Sequence, residues 1–199
     1  MTKNRLQELS QKYSIVLGSG SPRRVKLLSE LEIEFSQLIP DIDETILIDE
    51  KPYDFALRMS AQKGLSIAKR LRDNQLAISC DTIVILKGKV LGKPKDEKNA
   101  FQILTSLSGN QHEVVTSIAL TTNKKTLIND FEKTKVYFNE VTPDQIMDYI
   151  KTQEPMDKAG AYGIQGMGAF LVDRIDGNLD NVIGFPQRLL MKLASQILS

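Results

Sequence analysis

Apolar residues along this chain follow two alternating periods. A short apolar run at residues 15–17 and a longer segment rich in β-branched residues at 75–86 are typical of buried strands. Between these runs, apolar residues recur every three or four positions, which is typical of the buried face of a helix. The alternation predicts a mixed α/β sheet with flanking helices. The 199 residues are enough for one large domain or two small lobes.

The predicted strands and helices alternate along most of the chain. Strands are predicted at residues 15–17, 34–39, 75–86, 90–91, 112–122, 126–141, 168–177 and 181–186. Helices are predicted at residues 22–31, 52–74, about 96–107, 142–152 and from 186 onward. In the second helix, the apolar stripe is predicted to consist of Leu57, Ala61, Leu65, Ala68 and Leu71. Lys63 lies on a different face of this helix, which it shares with Met59.

Residues 154–168, EPMDKAGAYGIQGMG, fit neither period, and we call them the glycine segment. Its glycines at 160, 163, 166 and 168 would each weaken a helix or a strand. We therefore predict an irregular loop that permits close approach of its backbone.

The start of the first predicted helix has an unfavourable charge. Ser21 suits the N-cap, where its oxygen can accept from a backbone N–H, and Pro22 suits the first helical position. Arg23 and Arg24 then place two positive charges at the positive end of the helix dipole. A bound phosphate would compensate both, and the small residues 18–20 leave backbone N–H groups open to it. The alternative is a surface turn with solvated arginines. The pattern is neither a P-loop nor the dinucleotide GxGxxG motif.

Composition limits the classes of partner and metal. Lys plus Arg number 26 and Asp plus Glu 25, so no bulk field favours nucleic acid or a membrane surface. Cys80 is the only cysteine, which fits a reducing compartment, and no signal sequence or long apolar run is present. We expect a cytoplasmic, soluble protein. With one cysteine and one histidine, a metal would need carboxylate oxygens, which favours Mg²⁺ or Mn²⁺.

Asp81 is the first candidate for chemistry because it interrupts a strongly apolar strand. A carboxylate there is costly to desolvate unless it is paired, metal-bound or beside a cleft. The alternative is a solvated strand end at which Asp81 caps a turn through Thr82. Other charged candidates, taken singly, are interpreted as solvated surface groups: Asp43, Glu44, Lys63, Lys93, Asp157 and Lys158.

Three residues with aromatic side chains are interpreted as structural. Tyr162 and Phe170 could stack on a base or fill the core, and the core is the favoured interpretation. His112 is interpreted as a structural residue at a strand start.

Six segments, in order, resemble the motifs of the Maf family of nucleoside triphosphate pyrophosphatases. They are SGSPRR (19–24), DETI (43–46), CDTIV (80–84), LGKP (91–94), TSLSGNQHEVVTSIAL (105–120) and EPMDKAGAYGIQGMGAFLV (154–172). The resemblance runs from Ile15 to Pro186 and implies one Maf-like domain over residues 1–199. It also implies two lobes around a deep cleft, as in inosine triphosphate pyrophosphatases. Cys80 departs from the small alanine usual at that position.

The resemblance also implies roles for single residues. Asp81 matches the aspartate assigned as proton acceptor. Arg23, Thr82 and Gln165 match the positions that separate substrate classes, and this combination looks like the branch that hydrolyses dTTP and UTP, with modified pyrimidine nucleotides left open.

For the reaction, the resemblance implies cleavage to a monophosphate and pyrophosphate. Glu44, with Asp81, would hold Mg²⁺ or Mn²⁺. The residues expected to cradle the phosphates are Ser19, Ser21, Arg24, Lys63 and Lys93.

Two other classes stay open. The protein could be a nucleotide-binding regulator of cell division with little turnover, which a pyrophosphate-release assay would distinguish from an enzyme. A Rossmann dehydrogenase is disfavoured because the glycine spacing fails and no acidic ribose-binding residue is well placed. The expected partner is a nucleoside triphosphate, without nucleic acid or membrane, and a homodimer is left open.

Overall fold

The structure, a computed structural model, describes residues 2–199, with side chains from residue 5 onward. Its seven strands are β1 (Ser14–Gly18), β2 (Phe35–Gln37), β3 (Gln75–Leu86), β4 (Lys89–Leu91), β5 (Gln111–Thr121), β6 (Thr126–Phe138) and β7 (Val172–Asp176). Its helices are α1 (Thr2–Lys12), α2 (Pro22–Ser29), α3 (Pro52–Ala68), α4 (Glu97–Leu107), α5 (Pro143–Lys151), α6 (Leu179–Ile183) and α7 (Gln187–Leu198). None of the helices in this described range is long and apolar enough to span a membrane.

The strands form one mixed sheet in the order β2-β1-β3-β5-β6-β7, with β4 paired to β3. β1 is parallel to both β2 and β3, whereas β4 is antiparallel to β3 and β7 is antiparallel to β6. The prediction of a mixed α/β sheet with flanking helices is confirmed.

The contacts divide the described residues into two compact units. Unit 1 comprises the residues up to Asp81, Thr116–Glu132 and Gly184–Ser199, and unit 2 comprises Thr82–Val115 and Lys133–Ile183. In unit 1, α1 packs against α7 and buries Leu6 and Leu9. The predicted cleft and the single domain over residues 1–199 stay predictions.

Unit 2 has an apolar core of its own. α4 and α5 pack together, and the core contains Leu104 and Ile150 from these helices and Phe138 from β6. Tyr162 lies in this core, as predicted, and His112 near the start of β5 is buried and bonds its Nε2 to the Tyr162 hydroxyl at 2.8 Å. Phe170 is 40% exposed, so its assignment to the core is wrong.

A further local prediction differs from the structure. Residues 181–186 were expected to be a strand, but residues up to Ile183 belong to α6. Asn181 in α6 is buried and donates to the Val114 carbonyl and the Thr134 hydroxyl, so a polar anchor fixes this helix. Short apolar runs do not by themselves separate helix from strand, and in this segment the Asn181 contacts decide it.

Candidate active site

Asp81 lies within β3 and is 7% exposed, although the strand on either side of it is largely apolar. Its Oδ1 accepts a hydrogen bond from the Lys63 ammonium of α3 at 2.6 Å. Leaving either charge of such a buried pair without the other would be costly. The alternative interpretation, a solvated strand end, is therefore wrong.

Lys63 contacts a second carboxylate. Its Nζ lies 2.8 Å from Glu44 Oε1, and the Glu44 side chain is 50% exposed. One ammonium thus joins two carboxylates, of which one is buried and the other reaches solvent. Both carboxylates converge on the same position. A positive charge is therefore electrostatically favoured there, whether it belongs to an ammonium group or to a metal ion.

The loop that carries Glu44 is held by an arginine that sequence analysis did not single out. Arg58 of α3 donates from Nε and Nη2 to the Glu50 carboxylate, and from Nη2 to the Thr45 carbonyl at 3.0 Å. The Arg58 guanidinium lowers the pKa of Glu50, so this carboxylate stays charged. Asp43 closes the turn next to Glu44 by accepting from the amide and hydroxyl of Thr45. Two hydrogen bonds from Thr45 lower the pKa of Asp43.

No feature of the sequence marks this pair of Glu50 and Arg58. One partner lies in an irregular loop and the other in a helix, so neither helical nor strand periodicity relates them. A bidentate arginine–carboxylate pair is nevertheless among the stronger polar contacts that a protein can form.

The start of α2, which lies in unit 1, contains serine hydroxyl and arginine guanidinium side chains. Ser21 is the N-cap residue and Pro22 the first helical residue, as predicted, but the Ser21 side chain makes no capping bond. The expected side-chain cap is therefore absent. Ser19 contacts the helix start in another way: its buried Oγ accepts from the Ser21 amide at 3.2 Å. Arg23 is half-buried in the first turn of α2.

Arg24 connects the start of α2 to the strand of Asp81. Its Nη1 donates to the Ser19 hydroxyl at 3.1 Å and to the Cys80 carbonyl at 2.9 Å, and its Nε donates to the Gly184 carbonyl at 2.9 Å. These three acceptors offset part of the charge that was expected to require an anion. The phosphate-binding role of Arg24 stays a prediction.

Cys80 does not provide a nucleophile for this site. Its side chain is fully buried, and burial raises the pKa of the thiol to about 11. Because the thiolate is the reactive form, a thiol with this pKa is inert near neutral pH. Cysteine chemistry is therefore excluded beside Asp81.

Unit 2 contains the remaining predicted residues. Thr82 is half-buried on β3, Lys93 is exposed after β4, and Gln165 is exposed in the glycine segment. The Gly160 amide donates to the Gly92 carbonyl at 3.0 Å, so the middle of the glycine segment is attached next to Lys93.

The glycine segment is irregular, as predicted, and folds into short 3₁₀ turns. Its backbone approaches other parts of its own unit closely. Gly160 has a φ of +70°, and a Cβ there would lie 2.8 Å from Val84 Cγ2. A Cβ on Gly168 would lie 2.5 Å from both the Gly163 carbonyl and the Tyr149 hydroxyl.

Replacing Gly168 with alanine is expected to destabilise the protein by about 1–3 kcal/mol, because the new methyl group would overlap backbone and a buried side chain. Gly92→Ala is the matched control, since a Cβ at Gly92 meets nothing within 4 Å. Urea unfolding of both variants measures the difference. Equal stability of the two variants would contradict the packing described for this segment.

The comparisons with known proteins agree with the motifs. The family model described as Maf-like protein matches residues 14–197. A dTTP/UTP pyrophosphatase from Clostridium perfringens (strain SM101 / Type A) is 44% identical over 180 residues, which cover 89% of this chain and 94% of that relative. A dTTP/UTP pyrophosphatase from Geotalea uraniireducens (strain Rf4) is 42% identical over 179 residues, covering 89% of this chain and 92% of that relative.

Among solved structures, a HAM1 protein from Coxiella burnetii aligns with a TM-score of 0.48 at 18% identity, covering 94% of this chain and 98% of its own. The chain has a mixed α/β fold, and its candidate active site contains the buried Asp81 paired with Lys63. The chain belongs to the Maf family, as the six motifs predicted.

Proposed function

We propose that this protein is a nucleoside triphosphate pyrophosphatase that hydrolyses dTTP and UTP to the monophosphate and pyrophosphate. Relatives of 42–44% identity that cover most of the chain are named dTTP/UTP pyrophosphatases. The observation that carries the proposal is the buried Asp81 carboxylate. Its Oδ1 lies 2.6 Å from Lys63 Nζ, and Glu44 Oε1 lies 2.8 Å from the same nitrogen. A single thiol, Cys80, supports a cytoplasmic location.

In this mechanism Asp81 is the general base. Water attacks the α-phosphorus, its proton passes to the Asp81 carboxylate, and the bond from the α-phosphorus to the bridging oxygen breaks to release pyrophosphate. Lys63 already contacts Asp81 through Nζ, and its ammonium can stabilise charge on phosphate oxygens. Its contacts with two carboxylates fix the position of that ammonium.

We assign binding of the other phosphate groups of the substrate to residues around the start of α2 and to Lys93. Arg24 and the backbone of Ser19 to Ser21 would bind phosphate oxygens at the positive end of the helix. Arg24 holds the Ser19 hydroxyl and the Cys80 carbonyl, which places it between the helix start and the strand of Asp81.

The carboxylates of Glu44 and Asp81 fit a divalent cation. No group of three or more His, Cys, Asp or Glu side chains suited to a metal occurs among residues 5–199. Mg²⁺ is commonly held by one or two carboxylates together with substrate phosphates, and two convergent carboxylates match that pattern. When bound, Mg²⁺ or Mn²⁺ would neutralise charge on the triphosphate.

Steady-state kinetics over a panel of nucleoside triphosphates tests the base preference. The Gln165 amide can accept from N3–H and donate to a carbonyl, a pattern that uracil and thymine share and cytosine lacks. An unpaired buried polar group costs about 1–3 kcal/mol, or roughly 5- to 150-fold. We expect good turnover of dTTP and UTP, and poor turnover of CTP, ATP and GTP.

Gln165→Glu should erode this preference, because a donor is lost and a negative charge is added. Gln102→Glu makes the same change at an exposed position of α4 and serves as the control. A preference for a purine triphosphate, or an unchanged UTP-to-CTP ratio in Gln165→Glu, would contradict the assignment. Nucleotide binding without pyrophosphate release would instead favour the regulatory protein.

A further inference from the structure

Glu154 binds the backbone of the glycine segment through both carboxylate oxygens. Its Oε2 accepts from the Met167 amide at 3.0 Å, and its Oε1 accepts from the Gly168 amide at 3.3 Å. These two amides lie two and three residues after Gln165. The carboxylate therefore fixes the chain on the C-terminal side of Gln165.

Tyr149 of α5 fixes the chain on the other side of Gln165. Its hydroxyl accepts from the Gly163 amide at 3.1 Å and donates to Glu154 Oε1 at 3.0 Å. The side chain is 3% exposed, and burial raises the pKa of this phenol, so the hydroxyl keeps the proton that it donates. Tyr149 and Glu154 thus form one connected unit, which we call the Tyr149–Glu154 pair.

Glycines allow the backbone to close around the Tyr149–Glu154 pair. A Cβ on Gly166, whose φ is +83°, would lie 3.0 Å from Glu154 Oε2, and one on Gly163 would lie 3.2 Å from Glu154 Oε1. Gly168 approaches the Tyr149 hydroxyl more closely still. The close approach that the sequence predicted for these glycines is thus made to two side chains of the same chain.

We infer that Tyr149 and Glu154 are positioning residues that set the conformation of Gln165 and so contribute to base selection. The inference rests on the proposed role of Gln165 in reading the base. Gln165 is exposed and extended, with a φ of −99° and a ψ of 148°, and lies between the anchored amides of Gly163 and Met167. An amide that must match two groups on a base needs a fixed backbone, because small displacements weaken both hydrogen bonds.

Tyr149→Phe removes the hydroxyl that holds the Gly163 amide, and Glu154→Gln replaces one acceptor oxygen with a donor that faces an N–H group. We expect each variant to lower the UTP-to-CTP ratio of kcat/KM by about three- to tenfold, the size of one or two lost hydrogen bonds. Tyr162→Phe is the matched control, since its hydroxyl bonds His112 and no amide of residues 163–168. Glu97→Gln makes the same charge change on α4, where its partner is Gln153.

A double-mutant cycle with Gln165→Ala separates this role from a general loss of stability. If the pair acts through Gln165, then Tyr149→Phe and Glu154→Gln should not change the UTP-to-CTP ratio in the Gln165→Ala background. An unchanged ratio in both single variants, while Gln165→Ala alone alters it, would overturn the positioning role and leave the proposed function standing. An unchanged ratio in Gln165→Ala itself would overturn the proposed role of Gln165.

Amide hydrogen exchange on the unaltered protein provides a test that needs no variant. The amides of Gly163, Met167 and Gly168 should exchange slowly, although they lie outside the sheet, because each donates to the Tyr149–Glu154 pair. Exchange of all three at the rate of an unprotected loop would overturn the inference even if a variant failed to fold.

Discussion

Asp81→Asn is expected to lower kcat by about 10²–10⁴-fold, the usual effect of removing a general base. Asparagine has nearly the same shape as aspartate and can accept a hydrogen bond from Lys63, but it cannot take a proton from water. The fold should survive because Lys63 keeps its contact with Glu44. Single-turnover kinetics with UTP, together with thermal unfolding, measures both parts of the prediction.

The control for this substitution is Asp130→Asn. Asp130 pairs with Lys192 at 2.7 Å on the surface of the same unit, so the charge change is identical while the partner is more exposed. Surface pairs of this kind contribute little to stability, and kcat should not change. Near wild-type turnover by Asp81→Asn would remove Asp81 from the mechanism.

The strands were easier to predict than the contacts of the helices. β1, β3 and β5 consist mostly of buried apolar residues, which the sequence displays directly, whereas α1 was not predicted at all. Only Leu6 and Leu9 are buried in its described part, and their partner α7 lies at the other end of the chain. A short helix whose stability depends on a distant segment gives a weak local pattern.

The apolar stripe predicted for the helix of α3 was wrong in its middle, although Ala68 and Leu71 are buried as predicted. Leu65, which was assigned to the stripe, is 48% exposed, while Ser60 and Gly64 are buried. A Cβ on Gly64 would clash with Thr121, so close packing at this position requires a small residue rather than an apolar one. The face shared by Lys63 and Met59 is therefore the one that turns inward, and this orientation delivers Lys63 to Asp81.

For the candidate active site, the sequence identified single candidate residues better than the residues that hold them in position. Asp81 was visible because a charge within an apolar strand is exceptional. Arg58 and Glu154 were not singled out, because a charged residue near the surface has no distinguishing pattern until its partners are known. Their partners, a loop carboxylate and backbone amides, are set by tertiary structure.

Removal of divalent cations with EDTA is expected to abolish turnover, and added Mg²⁺ or Mn²⁺ should restore it. Glu44 and Asp81 lie within 2.8 Å of one ammonium, and such a pair of carboxylates binds a cation weakly without the phosphates of a substrate. Activity should therefore depend on metal and nucleotide together, which titration of the metal at several UTP concentrations measures.

Glu44→Gln should raise the metal concentration needed for half-maximal activity by at least roughly tenfold, because losing a direct ligand should cost no less than losing a residue that supports one. Glu8→Gln, which removes a surface partner of Arg5, is the matched control and should leave the titration unchanged. Because Glu44 also contacts Lys63, saturating metal should return the variant to near wild-type kcat only if its carboxylate acts mainly on the cation. Full activity of the unaltered protein in a chelated, metal-free sample would exclude the metal, and the convergence of the two carboxylates would then serve Lys63 alone.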